Sequence, residues 1–318
     1  MENKIHDTII IGAGPAGLAA SLELSKNDYP HLLIDKNSFP KDKICGDAIT
    51  NHTLKILKEY KLEKEVRQKA FAVNKLYRYA NKEDACIFDT NAVIIKRKVF
   101  DSILFEKASQ SVEFINAIFT GNIEYDNIKH KIEFISKNNN QPFYLFSRYV
   151  ILATGCQDPA VFSSIKKHTK IKDPDQIAFR GYYKANWTIS ENRYYFDKEL
   201  NPGYSWIFPL GNNVFNVGCG GKLLKTRNLN LKECLSNMIL QTDLSFNTKG
   251  SWLEAPRAAF LRTNLSNLKH LRYFPNLILA GETLGSSYPF SGNGTGRAMI
   301  SGILAAKSIV EFEKNKKD

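Results

Sequence analysis

Three stretches of this 318-residue chain carry residue types at spacings that could do chemistry. The first is GAGPAG, in which Gly12, Gly14 and Gly17 make the GxGxxG spacing. Thr8 to Ile11, all β-branched, precede it, and Ala16 to Leu24 follow as strong helix formers. In a strand–turn–helix unit the first glycine permits the tight turn and the second lets a pyrophosphate approach the backbone. The third lets helix and strand pack closely. Pro15 and Ala16 open the helix, whose free N–H groups and positive dipole end face the phosphates. Asp35 closes a second strand, HLLID, and is followed by Lys36. An acid about 20 residues beyond the glycines is what a ribose hydroxyl pair requires. A dinucleotide is therefore expected, of a kind the motif leaves open.

The second stretch is near the far end. The strand NLILAG runs into Gly281–Glu282, and Pro289 to Gly296, PFSGNGTG, enters a last helix. Gly292, Gly294 and Thr295 gather backbone donors at a helix N-terminus. That arrangement suits an electron-rich ring edge, such as the N1 and C2 carbonyl side of a reduced flavin. The third stretch is KNSFPKDKICGD, where Cys45 and Gly46 follow Lys41 and Lys43. Electropositive surroundings favour the thiolate, although a lone cysteine is more often buried and inert. Asp47 reads as a helix N-terminal residue.

Elements must bring these stretches together. Dinucleotide-type units stand at the start, middle and end, with strand-rich segments between them. The reading is α/β: a Rossmann-like, discontinuous cofactor domain over residues 1–70, 96–175 and 270–318. A mostly antiparallel β-sheet domain for substrate is inserted at 71–95 and 176–269. Helix is expected over 51–68 and 97–109. Short strands are expected at VNKLYRYA, ACIF and 92–95, and a meander at 114–118, 121–125 and 131–135. Alternation dominates from Gln176 to Gly220, in segments rich in Tyr, Phe and Trp.

The composition narrows the class. Forty-four Lys and Arg against 32 Asp and Glu give a formal +12. Such a surplus suits anionic substrates or lipid surfaces, or reflects a compositional bias toward Lys, Asn and Ile. No RNA-binding or helix-turn-helix signature accompanies it, so no nucleic acid partner is expected. Five scattered cysteines without a CxxC fit neither a disulfide framework nor a metal site and point to a reducing cytoplasm. The first strand starts within a few residues, which argues against a signal peptide. No apolar run approaches a spanning helix, leaving surface attachment as the one membrane mode expected.

Together the motifs resemble the FAD-binding oxidoreductases of the p-hydroxybenzoate-hydroxylase-like fold, and more narrowly the geranylgeranyl reductase family. Four local matches carry the resemblance: GAGPAG with Asp35, PKDKICGD, Arg97 with Phe100 and Asp101 as RxxFD, and GYSWIFP with its downstream glycines. In the last, Tyr204, Trp206, Phe208 and Pro209 precede Gly218 and Gly220 in the spacing YxWxFPx8GxG. The resemblance implies FAD as cofactor, with Arg97 touching it, Ala153–Thr154–Gly155 beside it and Cys45 near the flavin. It also implies that the aromatic strand lines a prenyl-chain cavity; from its place beside the flavin, Cys45 is expected to help protonate a substrate carbon or to shape that face of the site. An isoprenoid tail offers no hydrogen bonds, so its site needs large apolar walls. Residues 204, 206 and 208 alternate and so share one face, which equally describes ordinary sheet core.

The function implied is reduction of isolated carbon–carbon double bonds in a prenyl lipid, with or without an anionic head group. The external electron donor is left open among ferredoxin, a flavin reductase and NADPH. Two departures weigh on it: Glu282 stands where relatives carry Asp, and 153–155 lack the Asp-Gly pair used near NADPH by flavin hydroxylases. No arginine occurs in CQDPAVFSSIKK after them. The alternative is a flavin-dependent monooxygenase or halogenase of the same fold, for which Lys75 is the candidate halogenation lysine. A non-enzymatic flavoprotein or anionic-lipid-binding module is the third reading.

Overall fold

The computed structural model describes residues 4–81, 84–156, 173–226, 229–265 and 275–316. Its first sheet is built on β1 (Ile5–Ile11), whose apolar run is continuous because both of its faces are covered. Ile10 points into a core with helix residues Leu18, Phe100 and Met299. Ile9 and Ile11 point the other way, onto Phe119, Ile132 and Phe134. That period-2 division fixes the layers: helices on one side of the sheet, a meander on the other.

In chain order, β1 leads through the glycine turn into α1 (Pro15–Lys26) and then β2 (His31–Asp35). β3 (Ala48–Ile49), α2 (Asn51–Glu59) and α3 (Glu63–Gln68) follow. The helix expected over 51–68 is thus two helices. The break falls at Tyr60–Leu62, where Lys61 takes φ +61°. Leu57, Leu62 and Val66 can then all reach the same core. β4 (Phe71–Asn81) and β5 (Asp84–Ile94) are long partners rather than short strands, and 92–94 belong to β5. α4 (Arg97–Ala108) comes next, close to expectation.

The meander differs as well: its first two strands are one, β6 (Glu113–Tyr125), with an irregularity between Phe119 and Ile123. The first part of β6 pairs parallel with β2. The rest pairs antiparallel with β7 (His130–Ser136), which pairs in turn with β8 (Pro142–Leu152). The end of β8 returns beside β1 in parallel, and β14 (Leu277–Leu279) joins its outer side.

The second sheet runs β13-β9-β12-β11-β10-β4-β5-β3. Its later strands are β9 (Gln176–Lys184), β10 (Asn192–Tyr195), β11 (Gly203–Gly211), β12 (Val214–Lys222) and β13 (Ser251–Leu261). β3 joins this sheet although it lies within the 1–70 segment. One face packs on α5 (Leu231–Ser245), through Ile207, Val217, Leu235 and Ile239. Its other face carries Trp206 and Phe208. The last helix, α6 (Thr295–Lys314), lies against α1, close enough that a Cβ on Gly302 would sit 2.0 Å from the Ala16 carbonyl oxygen. Most of the arginine-free segment after Gly155, and the expected domain boundary at 270, lie outside the described residues.

Candidate active site

A cavity of about 390 Å³ opens between the carboxyl ends of β1, β2 and β8 and the inner face of the second sheet. That volume falls in the range of small-molecule sites. The glycine turn supplies one wall. Gly12 has φ +104°, and a Cβ there would lie 2.4 Å from the Ala153 carbonyl oxygen, so only glycine lets the turn pass the end of β8. On Gly14, by contrast, a Cβ would meet nothing within 4 Å, because that backbone borders open space. α1 begins at Pro15 with no side-chain cap and no acid in its first turn. Its positive end is therefore directed at the cavity without a competing anion from the protein.

Asp35 stands beside this turn. Its Oδ2 accepts from Ala13 N at 2.7 Å and from Lys41 Nζ, and its Oδ1 accepts from Asn37 N at 2.8 Å. At the far loop, Glu282 Oε2 accepts from Lys43 Nζ at 2.8 Å, and its Oε1 accepts from Ser287 Oγ. Glu282 thus has a lysine from the cysteine loop as its partner. Thr283 Oγ1 accepts from Gly155 N at 2.9 Å and ties that loop to the end of β8. α6 starts after Gly294, again with no side-chain cap and no acid in its first turn, and Gly292, Gly294 and Thr295 border the cavity.

The aromatic wall explains its own spacing. β11 and β12 form a hairpin in which Tyr204 faces Gly220, Trp206 faces Gly218 and Phe208 faces Asn216. A Cβ on Gly218 would sit 2.3 Å from Trp206 Cζ2, so the glycine is a bed for the indole. Tyr204, Trp206 and Phe208 all line the cavity, as does Tyr194 of β10. The Tyr204 hydroxyl donates to the Ser291 carbonyl, joining the wall to the loop before α6. Burial pushes its pKa up, helped by Tyr194 and Cys45.

Cys45 is half-buried on the loop between these walls. Its carbonyl accepts from Asn216 Nδ2 at 2.8 Å and Arg180 Nε at 3.0 Å. Arg97, buried, makes a two-point ion pair with Asp101 (2.8 and 2.6 Å). Burial alone would lower its pKa, but Asp101 and the neighbouring Cys45 sulfur more than offset that and raise it.

Most residues singled out in the sequence border this one cavity: Gly12, Gly14, Pro15, Ala16, Asp35, Lys36, Cys45, Gly46, Arg97, Ala153, Thr154, Gly155, Gly281 and Glu282 among them. Gly220 does so too. Gly17, Pro209, Gly218 and Pro289 do not; they stand behind the wall. Gly17 packs on the Gly12 carbonyl, Gly218 under Trp206, and the Pro289 carbonyl accepts from Gln176. Pro209 sits at the irregular end of the β11–β12 pairing. Lys75 is on the surface, paired with Asp89 at 2.7 Å, and does not border the cavity. Asp47 is not a simple helix-start residue: it is fully buried and bonded to both sheet strands β9 and β12. Arg180, Tyr182, Tyr194 and Asn216, not among the expected site residues, also stand in or behind these walls. Their signal was a polar or phenolic side chain on the same strand face as Ala178, Tyr204 or Gly218.

The FAD binding domain family matches residues 6–131. A digeranylgeranylglycerophospholipid reductase of Sulfolobus acidocaldarius is 29% identical over 98% of this chain and 70% of its own length. A solved geranylgeranyl bacteriochlorophyll reductase-like protein of Thermoplasma acidophilum superposes with a TM-score of 0.80 at 20% identity. The match covers 98% of this chain and 80% of that one. The chain is an FAD-dependent oxidoreductase, similar over nearly its whole length to proteins named as reductases of geranylgeranyl lipids. A flavin-dependent brominase also superposes with a TM-score of 0.80, at 18% identity over 97% of this chain and 79% of that one. It shares the fold of this flavoprotein; Lys75, the residue of this chain expected to serve halogenation, does not border the cavity. FAD is the cofactor, and the site suits it: two uncapped helix N-termini for a diphosphate and an anionic ring edge, a glycine cradle open at Gly14, and a carboxylate beside the turn.

Proposed function

We propose that this flavoprotein reduces isolated double bonds in the prenyl chains of a glycerophospholipid. The observation that carries the reading is the cavity itself, which places a thiol, a glycine-rich helix start and a wall of Tyr194, Tyr204, Trp206 and Phe208 around one space. When bound, reduced FAD supplies a hydride to one alkene carbon, and the other carbon needs a proton. The residues of this chain divide the remaining work. Gly12, Gly14 and the start of α1 hold the diphosphate, Asp35 the ribose, and the start of α6 the ring edge that bears negative charge. Arg97, Gly155 and Glu282 border the cofactor, and the Cys45 thiol delivers the proton. The aromatic face orients a chain that offers no polar handle and excludes water from around the alkene.

The exposed rings of Phe260 (47%) and Phe290 (66%) also line the cavity, which gives it an apolar rim. With the formal charge of +12, that rim fits delivery of the lipid from an anionic membrane surface. Among the described residues no helix is long and apolar enough to cross a membrane, and peripheral contact needs none. The reducing equivalents come from an external donor.

The test is anaerobic incubation of the FAD-loaded protein, reduced chemically with dithionite, with digeranylgeranyl glycerophospholipid. Mass spectrometry should show one H2 added per double bond, and Cys45→Ala should slow single-turnover reduction by about 100-fold. Unchanged lipid, with the flavin reoxidised only on admitting air, rejects the reading. A Cys45→Ala rate equal to wild type rejects the role of the thiol.

A further inference from the structure

Asp47 is fully buried, and its backbone is left-handed (φ +63°), unusual for a residue other than glycine. The cost of burying a carboxylate is justified only if its acceptors are used. They are. Oδ1 accepts from Arg97 N at 3.2 Å, at the start of α4. Oδ2 accepts from the Tyr182 hydroxyl at 2.7 Å and from Asn216 Nδ2 at 2.8 Å. Asn216 is itself fully buried and completely committed. Its Oδ1 accepts from Trp206 Nε1 at 2.9 Å, and its second amide hydrogen goes to the Cys45 carbonyl at 2.8 Å. Two further cations stand against this cluster, Arg180 over the Tyr182 ring at 4.3 Å and Lys96 at 4.4 Å.

A helix-start role would use Oδ1 alone, and an asparagine would serve there as well. What demands a carboxylate is that both oxygens accept at once, Oδ1 from the Arg97 N–H and Oδ2 from the Asn216 NH2 and the Tyr182 hydroxyl. The orientation of the Asn216 amide follows, since its NH2 must face Asp47 and its oxygen must face Trp206. We infer that Asp47 is a positioning residue that, through Asn216, locks the Cys45 backbone and the Trp206 ring into one register across the cavity. Gly46 is wedged into the same contact: a Cβ there would lie 3.3 Å from Phe208 Cε2 and 3.7 Å from Trp206 Nε1. The thiol and the aromatic wall are thereby held as one unit although one comes from the loop before β3 and the other from β11. The significance of that unit rests on the proposed reductase function; its existence does not.

The experiment measures iodoacetamide alkylation of the FAD-loaded protein, resolved by peptide mass. Cys234 of α5, half-buried and remote from this cluster, is the internal reference. Asp47→Asn places an NH2 against either Asn216 or Arg97 N, and Asn216→Ala removes the relay. Both should speed Cys45 alkylation by at least about fivefold, while Cys234 stays within about twofold of wild type. Tyr182→Phe, which keeps the Asn216 link, should leave the Cys45 rate within about twofold. If Asp47→Asn does not fold, Asn216→Ala decides alone. A Cys45 rate unchanged in Asn216→Ala, or Cys45 and Cys234 accelerating together, overturns the inference. Because the readout is thiol access rather than turnover, an absence of lipid reduction would leave this result intact.

Discussion

Trp206 lies flat over Gly218, directly opposite it in the β11–β12 hairpin, with indole carbon Cζ2 2.3 Å from where a Cβ would stand. The GxG spacing after the aromatic strand is therefore a statement about room for a ring. Gly218→Ala should tilt the indole off the wall and break its hydrogen bond to Asn216. We expect kcat/KM for a prenyl lipid to fall by about tenfold or more, with the yellow flavin spectrum retained. Steady-state kinetics beside an FAD titration separate the two effects. Equal loss of FAD binding and turnover would mean that the glycine serves the fold instead.

Gly12 makes the complementary prediction. An alanine there is strained by φ +104° and clashes with the Ala153 carbonyl oxygen. An alanine relieved by shifting the turn must be forced back to hold the diphosphate, and a cost of about 3 kcal/mol for that return weakens FAD by on the order of 100-fold. The variant should purify colourless and take up FAD only at high concentration, as read by quenching of flavin fluorescence.

Those two glycines also mark what could be read from the chain alone. GAGPAG and YxWxFPx8GxG are partly local: Gly17 answers to the Gly12 carbonyl and Gly218 to Trp206, on the same turn or hairpin, so spacing reveals them, whereas Gly12 answers to distant Ala153. Lys43 and Glu282 are 239 positions apart, and Asn216 and Cys45 are 171 apart. No spacing rule reaches across such separations. Asn216 and Arg180 were detectable only as polar residues on an apolar strand face. The split between α2 and α3 was hidden because Lys61 takes left-handed backbone without the glycine or proline that usually advertises it. The break expected between 118 and 121 is instead an irregularity inside the single strand β6, where Gly121 takes φ +96°.

Acid should reveal Asp47. Burial, opposed by Arg180, Tyr182, Asn216 and the Arg97 amide, pushes its pKa from 3.8 up to about 6. Between these values the folded protein keeps a proton that the unfolded chain has released. The contribution of Asp47 to stability therefore falls as pH rises through this window, then stays at its full deficit above about pH 6, of order 3 kcal/mol. Measured by urea unfolding, the stability of wild type relative to Asp47→Asn should decline by up to that amount from about pH 4 to pH 7. A difference that is flat with pH would mean that folding does not raise the pKa of Asp47.

The apolar rim offers a test of lipid delivery. Replacing Phe260 and Phe290 with serine leaves the charge unchanged and removes two exposed rings, each worth about 1.5–3 kcal/mol if fully inserted. Flotation with vesicles of anionic lipid should fall by at least about tenfold for the double variant, and wild type should float poorly with neutral vesicles or at high salt. Equal flotation of variant and wild type would place any membrane contact elsewhere.

The order in which the walls are made has a consequence for synthesis on the ribosome. β1 and α1 emerge well before β8 and α6, yet β1 is flanked by β8, and α1 is covered by α6, whose Gly302 sits against Ala16. The diphosphate cradle thus spends most of translation without its neighbours, its apolar strand and helix awaiting partners from the distant end of the message. Such exposed surface is what chaperones engage during vectorial folding. Cofactor capture then becomes a late event, and a yellow colour certifies that the far end of the chain has come home.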